Sequence, residues 1–172
     1  MTRVAPQVGM LVINTNSTDP RYRAFGARIC SDAPRLTPAT GPLLGLTSVM
    51  NELEEAGDGP SALLSVPVDT PFLPADLAAR LASALAASGA LIAFAATTER
   101  DHPIVALWAA RSRDPVRKLF DHQPTISLHG MMAALDAVRV VFPHAPSDPF
   151  FNVNSPRDVE TAERIAVTMG GA

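Results

Sequence analysis

The sequence predicts an α/β protein built on an open, mostly parallel sheet. Short apolar runs alternate with longer stretches of helical spacing, and turn residues fall between them. One of those runs, Leu-Leu-Ser-Val-Pro-Val at 63–68, has no period of two, which suits a central parallel strand covered on both faces. Pro67 within it implies a bulge or an unpaired position. At 172 residues the chain has the size of one domain, and residues 1–172 read as a single unit.

In chain order, the apolar runs place strands at 10–14, 27–30, 62–68, 91–96, 104–109 and 138–142, and helices at 42–55, 74–87, 115–122, 130–137 and 156–169. The last helix has the clearest start: Ser155 can cap free N–H groups, Pro156 suits the first helical position, and Asp158 puts negative charge in the first turn. The weakly polar stretch 77–96 is not a membrane span, because Arg80, Ser83, Ser88 and Gly89 interrupt it; it reads as helix, turn and strand.

Composition narrows the function. With 47% hydrophobic and 18% charged residues and a net charge of -3, the chain can bury a core and lacks the charge excess of disorder. Its acidity, with Lys118 as the one lysine, argues against a nucleic-acid or anionic-membrane surface, since both need a basic field. The single Cys30 cannot form an internal disulfide, and residues 1–7 lack the apolar stretch of a secretory signal, so the expected compartment is the cytoplasm. Cys30 sits in an apolar strand, as a buried small hydrophobe does. His122, His129 and His144 have no metal-ligand companions, which argues against zinc.

In open α/β sheets, ligands bind beyond the carboxyl ends of the strands, so polar residues directly after apolar runs are the site candidates. They are Asn14 and Asn16, Asp32, Asp69, and the pair Asn152 and Asn154. A carboxylate at a strand end can give Mg²⁺ a hard oxygen ligand while phosphates and water complete the shell, although spacing alone favours Asp69 as a turn residue before a proline-rich bend. Asn152 and Asn154 alternate onto one side of their segment, where amides can bond phosphate, ribose or metal-bound water, or cap a loop. Gly41 and Pro42 begin Gly-Pro-Leu-Leu-Gly-Leu, where backbone can approach a base closely or simply start a helix; the segment is not a P-loop. Arg100 and His102 lie between two expected strands, as anion-binding groups or a solvated turn.

Val-Ile-Asn-Thr-Asn (12–16), Ser-Asp (31–32), Gly-Pro-Leu-Leu-Gly-Leu (41–46), Pro-Val-Asp-Thr-Pro-Phe-Leu-Pro (67–74), Arg-Asp-His-Pro (100–103) and Asn-Val-Asn-Ser-Pro-Arg-Asp (152–158) together resemble the molybdenum cofactor guanylyltransferases in order and spacing. The resemblance implies a three-layer Rossmann-like nucleotidyltransferase fold, and transfer of GMP from GTP to molybdopterin with release of pyrophosphate. It implies that Asn14 and Asp32 contact the nucleotide, that Gly41 and Pro42 lie near the base, and that Asp69 is the catalytic aspartate holding Mg²⁺ and nucleotide. Asn152 and Asn154 would line the same site, with Asn154 a further Mg²⁺ ligand, and Arg100 and His102 would lie near the pterin. A receiving molybdoenzyme or cofactor chaperone is the implied protein partner.

Members of that family begin with a strand, a Leu-Ala-Gly-Gly loop, a downstream Arg-Met-Gly and a lysine, and then the first helix. This sequence has none of these, and residues 2–8 resemble the end of that helix. The expectation is a sheet without its first strand and most of its first helix, with unpaired strand edges, an incomplete core and weak or absent transferase activity for residues 1–172. Either the reading frame starts upstream, or the chain is a degenerate copy that binds nucleotide, molybdopterin or a partner without catalysis. A CTP or sugar-phosphate nucleotidyltransferase is the third reading.

Overall fold

The computed structural model describes residues 2–34, 41–144 and 147–170. Among these residues six strands and five α-helices follow one another as β1 (Val12–Asn14), β2 (Arg28–Cys30), α1 (Pro42–Glu55), β3 (Ala62–Ser65), α2 (Leu77–Ser88), β4 (Ile92–Ala96), β5 (Asp101–Ala109), α3 (Arg113–His122), α4 (Leu128–Ala134), β6 (Val138–Val141) and α5 (Pro156–Gly170). The expected alternation is present, and α1 has the expected bounds.

The strands form two sheets. β3-β5-β4-β6 is one, and a parallel β1–β2 pair is the other. β4 and β6 are parallel, whereas β5 runs antiparallel to both β3 and β4.

Alternation along β4 and β5 divides the core into two apolar layers. Ile92, Phe94, Ala106 and Trp108 face α1, α3 and α4, where they meet Leu46, Met50, Phe120 and Met131. Ala93, Ala95, Val105 and Leu107 face the opposite way, onto Leu77, Leu81 and Leu85 of α2 together with Phe142 and Phe150. Helices therefore cover both faces of this sheet, and all five residues of β4 are buried. Trp108 is buried without leaving its N–H unsatisfied, because the indole donates to Ser65 Oγ at 2.8 Å.

Contacts of α1 set the direction of β1, β2 and β3. Near the start of α1, Gly45 lies against Asn14 at the end of β1, and Ser48 Oγ accepts the Ala33 N–H at 2.8 Å. Near its end, Arg28 at the start of β2 donates to Glu52 and to Asp58 beyond the helix, each at 2.9 Å. The helix thus runs back along β2, and β3 begins where β2 begins and runs with it. Together with the pairings above, this puts the carboxyl ends of β1, β2, β3, β4 and β6 on one rim, with the amino end of β5.

Several expectations change. The strand expected at 62–68 stops at Ser65, so Pro67 lies outside it, and all four of its residues are half-buried. It is not central: its one strand neighbour among the described residues is the antiparallel β5. Unpaired edges were expected, and among the described residues the two sheets share no strand pairing; a cluster of Cys30, Val49 and Leu53, with Val12 and Leu63 packed on it, joins them through α1. β5 starts at Asp101 rather than 104, so Asp101, His102 and Pro103 are strand residues and not a connecting turn. The register shifts between Phe94 and Ala95, where Ala106 and His102 are the successive partners. That irregularity accommodates Pro103, which has no N–H to give the ladder. α2 starts at Leu77 rather than 74. Residues 2–8 supply one 3-10 turn, Ala5–Gln7, and another occupies Pro20–Phe25, where no element was expected.

Candidate functional site

The candidate residues all lie on this rim, most of them in two polar groups. The first sits at the ends of β1 and β2. Asn14 is the last residue of β1 and Asp32 follows β2 by two residues. Asp32 Oδ1 accepts from the Asn14 amide at 3.1 Å, and its Oδ2 from the Asn16 amide at 2.8 Å. Asn16 returns the bond by accepting the Asp32 N–H at 2.9 Å. The carboxylate is oriented from both sides and keeps lone pairs for a further donor.

α1 closes over this group. Gly41 precedes it with φ of 90°, a conformation that favours glycine, and Pro42 takes the first helical position. A β-carbon at Gly41 would meet no atom of the described residues within 4 Å. Gly45, one turn on, is the opposite case: a β-carbon there would overlap Asn14 Oδ1 and lie 3.4 Å from Asp32 Oδ1. Its signal in the sequence was a glycine inside a helical pattern, which lowers helix propensity and so points to close approach.

The second group lies beyond β3. Asp69 is half-buried, and its backbone carbonyl accepts the Val153 N–H at 2.8 Å. Asn152 donates its amide to Asp69 Oδ2 at 3.4 Å and accepts the buried Thr70 hydroxyl at 3.3 Å. Asn154 faces a different partner: its N–H donates to Asp158 Oδ2 at 3.1 Å, which also accepts the Ser155 N–H at 2.9 Å and hydroxyl at 2.8 Å. Ser155 Oγ accepts the Asp158 N–H in return, so the expected cap is a reciprocal capping box. The Ser155 hydroxyl and the Asn154 N–H hold the Asp158 carboxyl below its ordinary range.

Arg100 and His102 turn toward the segment leading to Asn152. Arg100 bonds Asp148 Oδ2 at 2.7 Å, and the His102 ring lies 4.5 Å from that of Phe150. Burial first, and then the Arg100 charge, lower the His102 pKa, favouring neutral imidazole. Asp148, Phe150, Thr70 and Gly45 were not foreseen; the first three acquire a role only through contacts between distant segments.

Beside Asp69 an open groove of about 490 Å³ runs between Val68, Pro71 and Phe72 and the Val159, Ala162 and Ala166 face of α5. Its size falls within that of small-molecule sites. A smaller cavity of about 100 Å³, lined by Leu53, Pro60, Trp108 and Arg113, lies at the far end of the sheet from the rim. Cys30 takes no part in the chemistry: burial and the neighbouring Glu52 carboxylate push its thiol up to about 12, where the reactive thiolate is scarce.

Among the described residues no three His, Cys, Asp or Glu side chains gather as a metal cluster. Mg²⁺ does not require one. It commonly takes one or two carboxylates and completes its shell with water and substrate phosphate, and the single half-buried carboxylate of Asp69 fits that pattern. No helix among the described residues is long and apolar enough to cross a membrane.

Fold and rim define an open α/β protein whose candidate ligand site lies at the carboxyl ends of its strands. The chain belongs to the family of MobA-like NTP transferase domains, whose pattern it matches over residues 1–145. It is 34% identical over 166 residues to the molybdenum cofactor guanylyltransferase of Bradyrhizobium sp. (strain ORS 278), covering 96% of this chain and 77% of that protein. To the protein of the same name from Rhodopseudomonas palustris (strain BisB5) it is 36% identical over 165 residues, covering 96% and 78%. Among solved structures, molybdopterin-guanine dinucleotide biosynthesis protein A from Archaeoglobus fulgidus is similar, with a TM-score of 0.67, 16% identity and coverage of 97% of this chain and 85% of that one. The 2-C-methyl-D-erythritol 4-phosphate cytidylyltransferase of Thermus thermophilus shares the fold at a TM-score of 0.59 and 16% identity, covering 95% and 85%.

Proposed function

We propose that this nucleotidyltransferase-family chain moves GMP from GTP onto the terminal phosphate of molybdopterin and releases pyrophosphate. The carrying observation is that the oriented Asp32 carboxylate and the Asp69–Asn152 pair occupy one rim, as the base and phosphate ends of one nucleotide require. The names of the relatives support GTP and molybdopterin as the substrates.

Asp32 suits a base that offers adjacent N–H donors. A guanine edge presents N1–H and its 2-amino group, and a carboxylate held by Asn14 and Asn16 can accept both. Gly41 has no side chain to keep a flat base from its backbone. Asp69, together with the phosphates and with Asn154 as a further oxygen donor, would hold Mg²⁺, which supplies charge neutralisation at the triphosphate. Asn152 is placed to fix the Asp69 carboxylate. The groove beside Asp69 gives the acceptor a place to lie.

In the reaction an oxygen of the acceptor phosphate forms a bond to the α-phosphorus of GTP. The bond from that phosphorus to the bridging oxygen breaks, and its electron pair leaves with pyrophosphate. No covalent intermediate on the protein is needed, so positioning and charge stabilisation carry the rate. The test is turnover with molybdopterin and either GTP or CTP, read as dinucleotide product, in the chain preceded by the family's strand, Leu-Ala-Gly-Gly loop and lysine, with residues 1–172 alone expected to turn over weakly or not at all. GTP should be used in preference, and Asp69→Asn should lose turnover by about 10²-fold or more while keeping the circular dichroism of the parent. Equal turnover with CTP removes the guanine assignment, and unchanged turnover in Asp69→Asn removes Asp69 from the mechanism.

A further inference from the structure

We infer that Arg100 and His102 are positioning residues: together they clasp the 148–150 segment and thereby hold Asn152 and Val153 against Asp69. The inference rests on the nucleotide reading for its consequence, but not for its geometry.

The clasp has two arms. In one, the Arg100 guanidinium donates to Asp148 Oδ2 at 2.7 Å, while Asp148 Oδ1 accepts the Phe150 N–H at 2.8 Å. In the other, the His102 ring packs on Phe150 at 4.5 Å with the planes tilted by 43°, and Phe142 meets Phe150 edge-on at 5.4 Å. Phe150 is fully buried, so the arms fix a side chain that anchors the whole segment.

Alternation along the chain explains the pattern. Arg100 and His102 turn to this segment, whereas Asp101 between them pairs with Arg139 of β6 at 2.6 Å. Asn152 follows Phe150 closely in the chain, within a reach of roughly 7 Å, so displacement of the ring is transmitted to the amide at Asp69.

His102 serves here as a ring. Its Nε2 is buried without a hydrogen-bond partner among the described residues, an arrangement that a hydrocarbon ring would avoid. Phenylalanine should therefore replace it in a clasp, and should fail to replace it where a ring nitrogen touches substrate.

Amide hydrogen exchange across 148–154 and Mg²⁺·GTP affinity by calorimetry, measured on the full chain, test this. Arg100→Ala and His102→Ala should each speed exchange in 148–154 severalfold and weaken Mg²⁺·GTP binding by up to about tenfold, the span of one ring contact or charged hydrogen bond. Exchange around Asn14 and Asp32 should not change. Arg100→Lys and His102→Phe should restore both readouts to near the parent values. Parental exchange in both alanine variants would overturn the inference, and so would His102→Phe losing affinity as fully as His102→Ala while 148–154 stays protected. A parent chain that binds no Mg²⁺·GTP would sink the nucleotide reading alone, because exchange still decides whether Arg100 and His102 hold the segment.

Discussion

The two sheets of this molecule are held in different ways. β4 buries all five of its residues between two helical layers, whereas β1 and β2 bury one residue between them, Cys30. The four-stranded sheet is an apolar structure, and the β1–β2 pair is attached chiefly through α1 and by polar contacts. Both parts contribute to the candidate site: the packed sheet presents Asp69, Arg100 and His102, and the lightly buried pair presents Asn14, Asn16 and Asp32.

The largest effect should come from the packed side. Trp108→Ala removes a fully buried indole and leaves Ser65 without its donor, which should lower unfolding free energy by about 3–5 kcal/mol in urea titration. A much smaller loss would mean that the core does not depend on this layer.

Gly45→Ala probes the other side. The new methyl overlaps Asn14 Oδ1, the free end of an exposed side chain, so Asn14 can swing away. Helix propensity gains about 0.5–1 kcal/mol from the same change. Stability should thus stay within about 1 kcal/mol of the parent, while loss of the Asn14–Asp32 bond should weaken GTP binding by about tenfold. Calorimetry against denaturation separates the two; intact affinity would show that this group does not bind the nucleotide.

A third measurement concerns pH. The His102 pKa is lowered in the folded chain, so near its ordinary value the unfolded state binds more protons. Stability should therefore fall as pH drops from about 6.5 toward the folded-state pKa, and level off below it. His102→Phe should flatten that part of the profile, measured by urea midpoints between about pH 7.5 and 5. The smallest effect belongs to Arg28→Ala, which removes two solvent-screened ion pairs and should leave the urea midpoint close to that of the parent.

Much of the fold was legible because its signals are local. Proline at the first helical position and glycine before it defined the start of α1, and Ser155-Pro156 with Asp158 defined α5. The covered strand read at 63–68 became the half-buried β3, whereas the strand buried throughout is β4. The errors arose where pairing, rather than local preference, decided. Val66 to Val68 are as apolar as a strand but have no strand partner among the described residues, and β5 continues through Pro103 because a register shift accommodates it.

The same distinction holds for the site. Strand ends located Asn14, Asp32, Asp69 and Asn152, but nothing local in Arg-Asp-His-Pro revealed that Asp148 and Phe150, 48 residues beyond Arg100 and His102, would receive those two side chains. Gly45 could have been found from its position inside a helix, since an interior glycine needs a reason.

The central claim is that both polar groups on the rim serve one nucleotide. Replacing Mg²⁺ with paramagnetic Mn²⁺ and following the side-chain amide resonances of Asn14, Asn16 and Asn152 as GTP is added tests it directly. GTP-dependent broadening of Asn152 together with a saturable shift of Asn14 and Asn16 is predicted. If Asn14 and Asn16 stay unmoved at saturating Mn²⁺·GTP, the two groups do not share a ligand and the account is contradicted.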